Sequence, residues 1–248
     1  MSTVLYERAG RIARITLNRP EVLNAADEAW VADLGSCVDR AAHDPDTRVV
    51  IVEGKGRAFC TGIDLTVLAA GRIGREWFVG WEQALRRLET MDKLVIAAVH
   101  GYCIGGGLQV ALACDVRVAR DDATLGLPAV KECLVPGLGV WRLPRFVGLG
   151  RARRFILTGE TVGAAEALAI GLVDYVATAE HFAQEVARVA DVLAGVAFAS
   201  AIESKRLLDR AFEPYAPVLA AYLDAQGRAM ASPEHEAVMS EWRARKAR

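Results

Sequence analysis

Lysine is scarce in this chain. It stands only at positions 55, 93, 131, 205 and 246, and the remaining basic charge is arginine spread along the 248 residues. With 30 basic against 31 acidic side chains the net charge is near −1, so no field draws in nucleic acid or an anionic membrane. Cysteine is sparse and odd in number: Cys37, Cys60, Cys103, Cys114 and Cys133 form no CxxC pair and no metal-like spacing. That excludes a disulfide framework, predicts no metal site, and reads as reduced, mostly buried thiols of a cytoplasmic protein. No apolar run approaches the roughly 20 residues of a membrane span. The opening "MSTVLYERAG" has neither a basic region nor an apolar stretch, so no signal peptide is expected.

What is present is apolar and patterned. Hydrophobic residues make up 53% of the chain, enough for a sizeable core in one domain, or one domain with a smaller appendage. "RIARITLNRP" (11–20) alternates with period two and stops at a proline, as a strand does. Ala26, Trp30, Leu34, Cys37, Val38 and Ala41 share one face at helical spacing. "RVVIVEG" (48–54) and "LVIAAVHG" (94–101) read as strands buried on both faces. A helix is predicted over roughly 75–91, another from the glycines to about Ala113, and short strands at 116–119 and 123–127. From 141 onwards the pattern is mainly helical, broken by an extended "LVDYV" (172–176). Strand–helix alternation predicts an α/β fold.

Two glycine-rich loops follow the buried strands: "GKGRAFCTGIDL" (54–65), and "HGYCIGGGLQVALACD" (100–115), whose triple glycine opens into a helix. A helix start leaves N–H groups unpaired, and glycine lets an anionic oxygen approach them. A phosphate loop would supply Lys and Ser/Thr next, but Leu108 and Gln109 follow. The remaining ligand is an enolate or thioester oxyanion, which needs two convergent donors. Adjacent parallel strands would present both loops at one sheet edge. Two tight turns with no ligand would leave the same glycine pattern.

"LNRPEVLNA" (17–25), "GRAFCTGIDL" (56–65), "AAVHGYCIGGGLQVALACDVRVA" (97–119) and "LVPGLGVWRLPRFVGLGRARRFILTGETVGAAEALAIGLVD" (134–174) resemble the enoyl-CoA hydratase/isomerase, or crotonase, family. The segments occur in the family's order over nearly the whole chain. The resemblance implies a crotonase-like β-β-α spiral core over 1–190 and a C-terminal helical region, 191–248, that covers the core and makes trimer contacts. It implies an acyl-CoA substrate, with coenzyme A as its thioester part, no tightly bound cofactor, and self-association as a homotrimer or hexamer. Carried over by position, the oxyanion donors are the N–H groups of Ile63 and Gly106. Coenzyme A contacts fall on Val22, Ala25, Thr61, Asp64, Leu65 and Thr66, and Asp64 also stabilises its loop. The basic "EWRARKAR" tail either reaches the coenzyme A phosphates of a neighbouring subunit or is solvated.

The sequence departs from the family's hydratases where they carry two glutamates. The position two residues after the glycines is Gln109, which cannot take a proton near neutral pH but can orient a water or an acyl group. The position after the proline of "LGLPA" is Ala129. General acid–base catalysis contributes about 10²–10⁴-fold per group, so ordinary enoyl-CoA hydration is not expected. Glu132, three residues on, would return to the face of Ala129 if a helical turn starts near Pro128, and is the candidate acid/base; a surface glutamate is its plainer reading. Glu76 and Glu82 lie on the helix that often lines the family's acyl pocket, where most charges face solvent. Gly137 takes a position where some relatives carry Asp or Tyr. His100 and Asp115 read as architectural, Trp141 as narrowing the pocket or packing the core, and no cysteine as a nucleophile. An enzyme of enolate chemistry is the leading expectation, and a non-catalytic acyl-CoA carrier or sensor the alternative.

Overall fold

The computed structural model describes residues 2–213 and residues 223, 224, 227, 228, 230, 232, 233, 235 and 237. The chain divides into two units between Ala190 and Asp191. The first is built on a six-stranded sheet in the order β1 (Val4–Ala9), β2 (Ile12–Leu17), β3 (Val49–Gly54), β4 (Leu94–Val99), β6 (Val116–Arg120) and β9 (Tyr175–Ala177). β1 is antiparallel to β2 and every other pairing is parallel. The apolar runs of β3 and β4 lie at the middle, covered on both sides, while edge strand β1 carries Glu7 and Arg8 outward.

A second sheet joins β5 (Tyr102–Ile104), β7 (Thr124–Gly126) and β8 (Thr161–Gly163). Single bridges, Cys60 with Cys103 and Ala26 with Ile63, extend it sideways. Each long strand thus runs into a short segment of this second layer and then into a helical turn. After β2 comes α1 (Glu28–His43), after β3 α2 (Leu65–Ala69), after β4 and β5 α4 (Gly106–Leu112), and after β6 and β7 a 3-10 turn at Pro128–Glu132. This is the spiral of the expected fold, and the unit repeats in space without repeating in sequence. α3 (Arg75–Thr90) packs beside α1, and α5 (Gly139–Thr158) beside α4. α6 (Ala164–Ala169) and α7 (Phe182–Gly195) follow. In the second unit lies α8 (Phe198–Leu208), where Glu203 pairs with Arg206 and Arg228. Among the described residues no helix is long and apolar enough to cross a membrane.

Periodicity located most elements, but β1 and β8 escaped it. β1 is a charged edge strand, half exposed, and β8 is three residues long, so each buries a single residue fully, Val4 and Val162, too few to show a period. Asp27 caps α1, accepting from Trp30 N at 2.9 Å. Asn24, fully buried and in the left-handed region at φ 57°, ties the strand-to-helix segments together. Its Oδ1 accepts from Arg19 N, and its Nδ2 donates to Lys55 O, Ala58 O and Phe59 O within 2.8–3.1 Å. His100 bonds Gly56 O through Nε2, and Asp115 accepts from Val95 N, both architectural as expected. Four of the five thiols are buried, and Cys133 is exposed. Burial pushes the Cys60 thiol up to about 12, so it stays protonated and inert.

Asn24→Ala strands buried carbonyls, and urea denaturation should register a loss of about 1–3 kcal/mol. Iodoacetamide treatment of the folded protein should modify Cys133 and spare Cys60 and Cys103 by peptide mass spectrometry. Labelling of Cys60 would show that the bridge between the two loops opens.

Candidate active site

The parallel pairing of β3 with β4 delivers both glycine loops to one edge of the sheet. There they are stitched together through the backbone. Tyr102 O accepts from Cys60 N and Cys60 O from Ile104 N, each at 3.0 Å. On the other side Gly62 O accepts from Ala26 N at 2.7 Å, and Asp64 N donates to Ala26 O at 3.0 Å. Bonds through residues 62 and 64 turn the intervening Ile63 N–H the opposite way. Gly106 is the first residue of α4, so its N–H has no acceptor one turn back. Among the described residues neither Ile63 N–H nor Gly106 N–H finds a hydrogen-bond acceptor.

The glycines serve this loop-on-loop contact before any ligand. A Cβ on Gly62, where φ is +90°, would fall 2.5 Å from Gly106 N. One on Gly106 would fall 2.9 Å from Gly62 Cα and 2.8 Å from the Trp81 ring. One on Gly107 would fall 2.0 Å from Cys60 O. Clearance for a ligand oxygen, the reading the sequence suggested, is therefore only part of their role.

A cavity of about 350 Å³ opens in front of this junction. Of the residues singled out in the sequence, it brings together Thr61, Ile63, Leu65, Glu82, Gly106, Gln109, Glu132 and Gly137, with Ala129 beside them. One wall is aromatic: Trp77, Phe78 and Trp81 of α3. Trp81 stacks between Trp30 and Trp77 with ring centroids 5.3 and 5.2 Å away, which stiffens the wall by about 0.5–1.5 kcal/mol per pair. The facing wall is Leu134, Val135, Pro136 and Leu138. A larger groove of about 1040 Å³ runs between α1 and α3. It holds neither glycine loop, so convergent polar groups rather than size identify the site.

The polar end of the cavity differs from what the sequence suggested. Gln109 is buried, and its Oε1 has no hydrogen-bond partner among the described residues. The turn anticipated at Pro128 is the 3-10 turn, in which positions three apart eclipse, so Ala129 and Glu132 share a face. Glu132 itself is exposed at the rim. A different carboxylate enters the wall. Glu82 of α3 accepts from Leu138 N at 2.8 Å through Oε1 and from Arg142 at 2.8 Å through Oε2. Arg142 is 1% exposed and also faces Glu89 at 3.5 Å. The trace of this in the sequence is the spacing of Glu82 and Glu89: seven residues apart, they project from one helical face.

Other residues singled out in the sequence do not line this cavity. Val22, Ala25, Asp64 and Thr66 are outside the cavity wall. Asp64 caps α2, accepting from Thr66 N at 3.0 Å, and pairs with Arg19 at 3.3 Å, which makes it the stabiliser of its own loop. Trp141 does not narrow the cavity. It is exposed, with the Arg145 guanidinium 3.6 Å from its ring centroid. Glu76 faces the larger groove. The "EWRARKAR" tail lies outside the described residues. Among the described residues no group of three or more His, Cys, Asp or Glu side chains could hold a metal ion.

Comparison with known proteins gives one answer throughout. The enoyl-CoA hydratase/isomerase family model matches residues 7–243. The short-chain-enoyl-CoA hydratase of Clostridium acetobutylicum is 32% identical, over 86% of this chain and 83% of its own length. The (E)-benzylidenesuccinyl-CoA hydratase of Thauera aromatica is 38% identical, over 78% and 77%. The crystal structure of an enoyl-CoA hydratase from Bacillus anthracis superimposes with a TM-score of 0.92 at 26% identity, covering 98% of this chain and 96% of that one. That of Mycobacterium smegmatis gives 0.91 at 28%, covering 98% and 96%. With the two glycine loops joined at the mouth of one cavity, the chain belongs to the enoyl-CoA hydratase/isomerase, or crotonase, family.

Proposed function

We propose that this protein is an enzyme that acts on an acyl-CoA thioester through an enolate. The observation that carries the reading is the pair of unpartnered N–H groups, Ile63 and Gly106, on the wall of one cavity. The thioester oxygen would accept from both. As negative charge moves onto it, each well-aimed donor contributes about 2.7–4 kcal/mol to the transition state. Coenzyme A enters as part of the substrate, its thioester end passing Thr61 and Leu65. An apolar acyl group fits best, since Trp77, Phe78 and Trp81 on one side and Leu134 and Val135 on the other offer mostly hydrocarbon and aromatic surface. Gln109 positions the substrate or a water. Proton transfer falls to a cavity carboxylate, either Glu132 at the rim or Glu82 in the wall.

Self-association as a trimer or hexamer belongs to the same proposal. It is supported by large apolar side chains left in water outside the cavity, Leu157 at 71% and Leu149 at 55% exposure among them. Light scattering on the purified protein reads it directly, and a monomer at micromolar concentration would refute it.

The functional test is mass spectrometry of a panel of thioesters, crotonyl-, cinnamoyl- and butanoyl-CoA, incubated with the protein in D₂O. Deuterium at C2, addition of water, or cleavage is the expected outcome. Ligands that bind unchanged would make the protein a carrier or sensor, and absence of binding would overturn the acyl-CoA reading. Gly62→Ala, which pushes a methyl onto Gly106 N, should lower turnover about 10²–10³-fold.

A further inference from the structure

We infer that the acyl group selected by this cavity carries an aromatic ring on C3, held face-on to the edge of Trp81, and no carboxylate of its own. The inference rests on the acyl-CoA reading above and names its substrate class. Trp81 enters the wall edge-on. Trp30 and Trp77 lie nearly parallel to its ring, at 15° and 16°, with centroids 5.3 and 5.2 Å away. Both faces are therefore occupied, and Trp81, 3% exposed, has its rim to offer a ligand. A Cβ on Gly106 would meet Cζ2 and Cη2 of that rim at 2.8 and 2.9 Å. The C–H edge of an aromatic ring carries positive partial charge and its face negative. The partner that suits an edge is the π face of another ring, the T-shaped pairing that Phe78 and Trp77 already make at 82° and 5.2 Å.

Gly106 also fixes where along the acyl chain the ring must sit. Its N–H is one of the two proposed donors to the thioester oxygen, so the Trp81 edge lies beside the thioester. A ring on C3 reaches that edge, whereas a ring at the end of a long chain passes it by.

Charge sets the second limit. Among the described residues, the ionisable side chains of the cavity wall are Glu82 and Glu132, both acidic. Arg142 does not offset them. It is 1% exposed, stands outside the wall, and is shared between Glu82 and Glu89 at 2.8 and 3.5 Å. Two carboxylates against one guanidinium leave that cluster negative, and Glu132 adds its charge at the rim. A carboxylate on the acyl group would lose its water without gaining a cation, and an unpaired charge is costly to bury.

The test is titration calorimetry of the full chain with saturated thioesters, which bind without being hydrated: phenylpropanoyl-, cyclohexylpropanoyl-, pentafluorophenylpropanoyl-, butanoyl- and glutaryl-CoA. The phenyl thioester should bind about 2–10-fold tighter than the cyclohexyl one, which has the same carbon skeleton but no π face. Fluorination reverses the charge pattern of the ring and should remove that advantage. Glutaryl-CoA should bind on the order of 10²-fold more weakly than the phenyl thioester and more weakly than butanoyl-CoA. Glu132→Lys, a change at an exposed position, should tighten glutaryl-CoA several-fold. Four results would overturn the inference while leaving the acyl-CoA reading in place. They are a cyclohexyl thioester that matches the phenyl one, a pentafluorophenyl thioester that matches or exceeds it, glutaryl-CoA binding as well as butanoyl-CoA, and no gain for glutaryl-CoA in Glu132→Lys. If none of the thioesters binds, both readings fail together.

Discussion

Everything at this site depends on one close contact, backbone against backbone, between the loops that follow two neighbouring parallel strands. Gly62 meets Gly106 and Gly107 meets Cys60 O at distances no Cβ could share. Bonds through Cys60 hold the loops in that register, while Ala26 and Asn24 brace the first of them, Asn24 with three donated hydrogen bonds. The contact leaves two unpartnered N–H groups, Ile63 and Gly106, on the wall of one cavity without any side chain. Donors fixed in this way need no reorganisation when charge develops, which is why backbone amides suit an oxyanion better than flexible polar side chains.

The same contact constrains the acyl wall. A side chain on Gly106 would strike Trp81, so the glycine also admits the tryptophan ring. Trp81 is held between Trp30 and Trp77, and this stack places α3 against the loops. The residue that follows Trp81 on that helix is Glu82, which the helix turn carries to the cavity's edge. Aromatic packing thus decides where a carboxylate sits.

Arg142 completes the arrangement. Buried guanidinium groups are costly to desolvate unless carboxylates surround them, and removing one partner of such a pair costs about 3–5 kcal/mol. Here Glu82 and Glu89 share the cation, so α3 and α5 are joined across the cavity wall. In this chain, where Gln109 and Ala129 stand at the positions of the family's two usual glutamates, Glu82 is a carboxylate of the cavity wall, held by Arg142 and Leu138 N.

The α/β class, the central strands and both glycine loops could be read from the sequence, because apolar runs and glycine clusters report local constraints. Trp30, Leu34 and Val38 were legible as one buried face, since a helix repeats every 3.6 residues whatever surrounds it. The edge strand β1 was not, because only Val4 is fully buried and the charged half, Glu7 and Arg8, lies in water. Nor could Asn24 be told from any other loop asparagine, since its acceptors lie more than thirty residues away. The Gln109 and Ala129 replacements were visible as departures. Glu82 looked like one more charge on an amphipathic helix. Chain order alone determined which backbone groups would be free of side chains. Only the tertiary structure decided which carboxylate joins the cavity wall, because the partners of Glu82, Leu138 N and Arg142, lie 56 and 60 residues away in sequence, and no local pattern encodes a contact closed by packing.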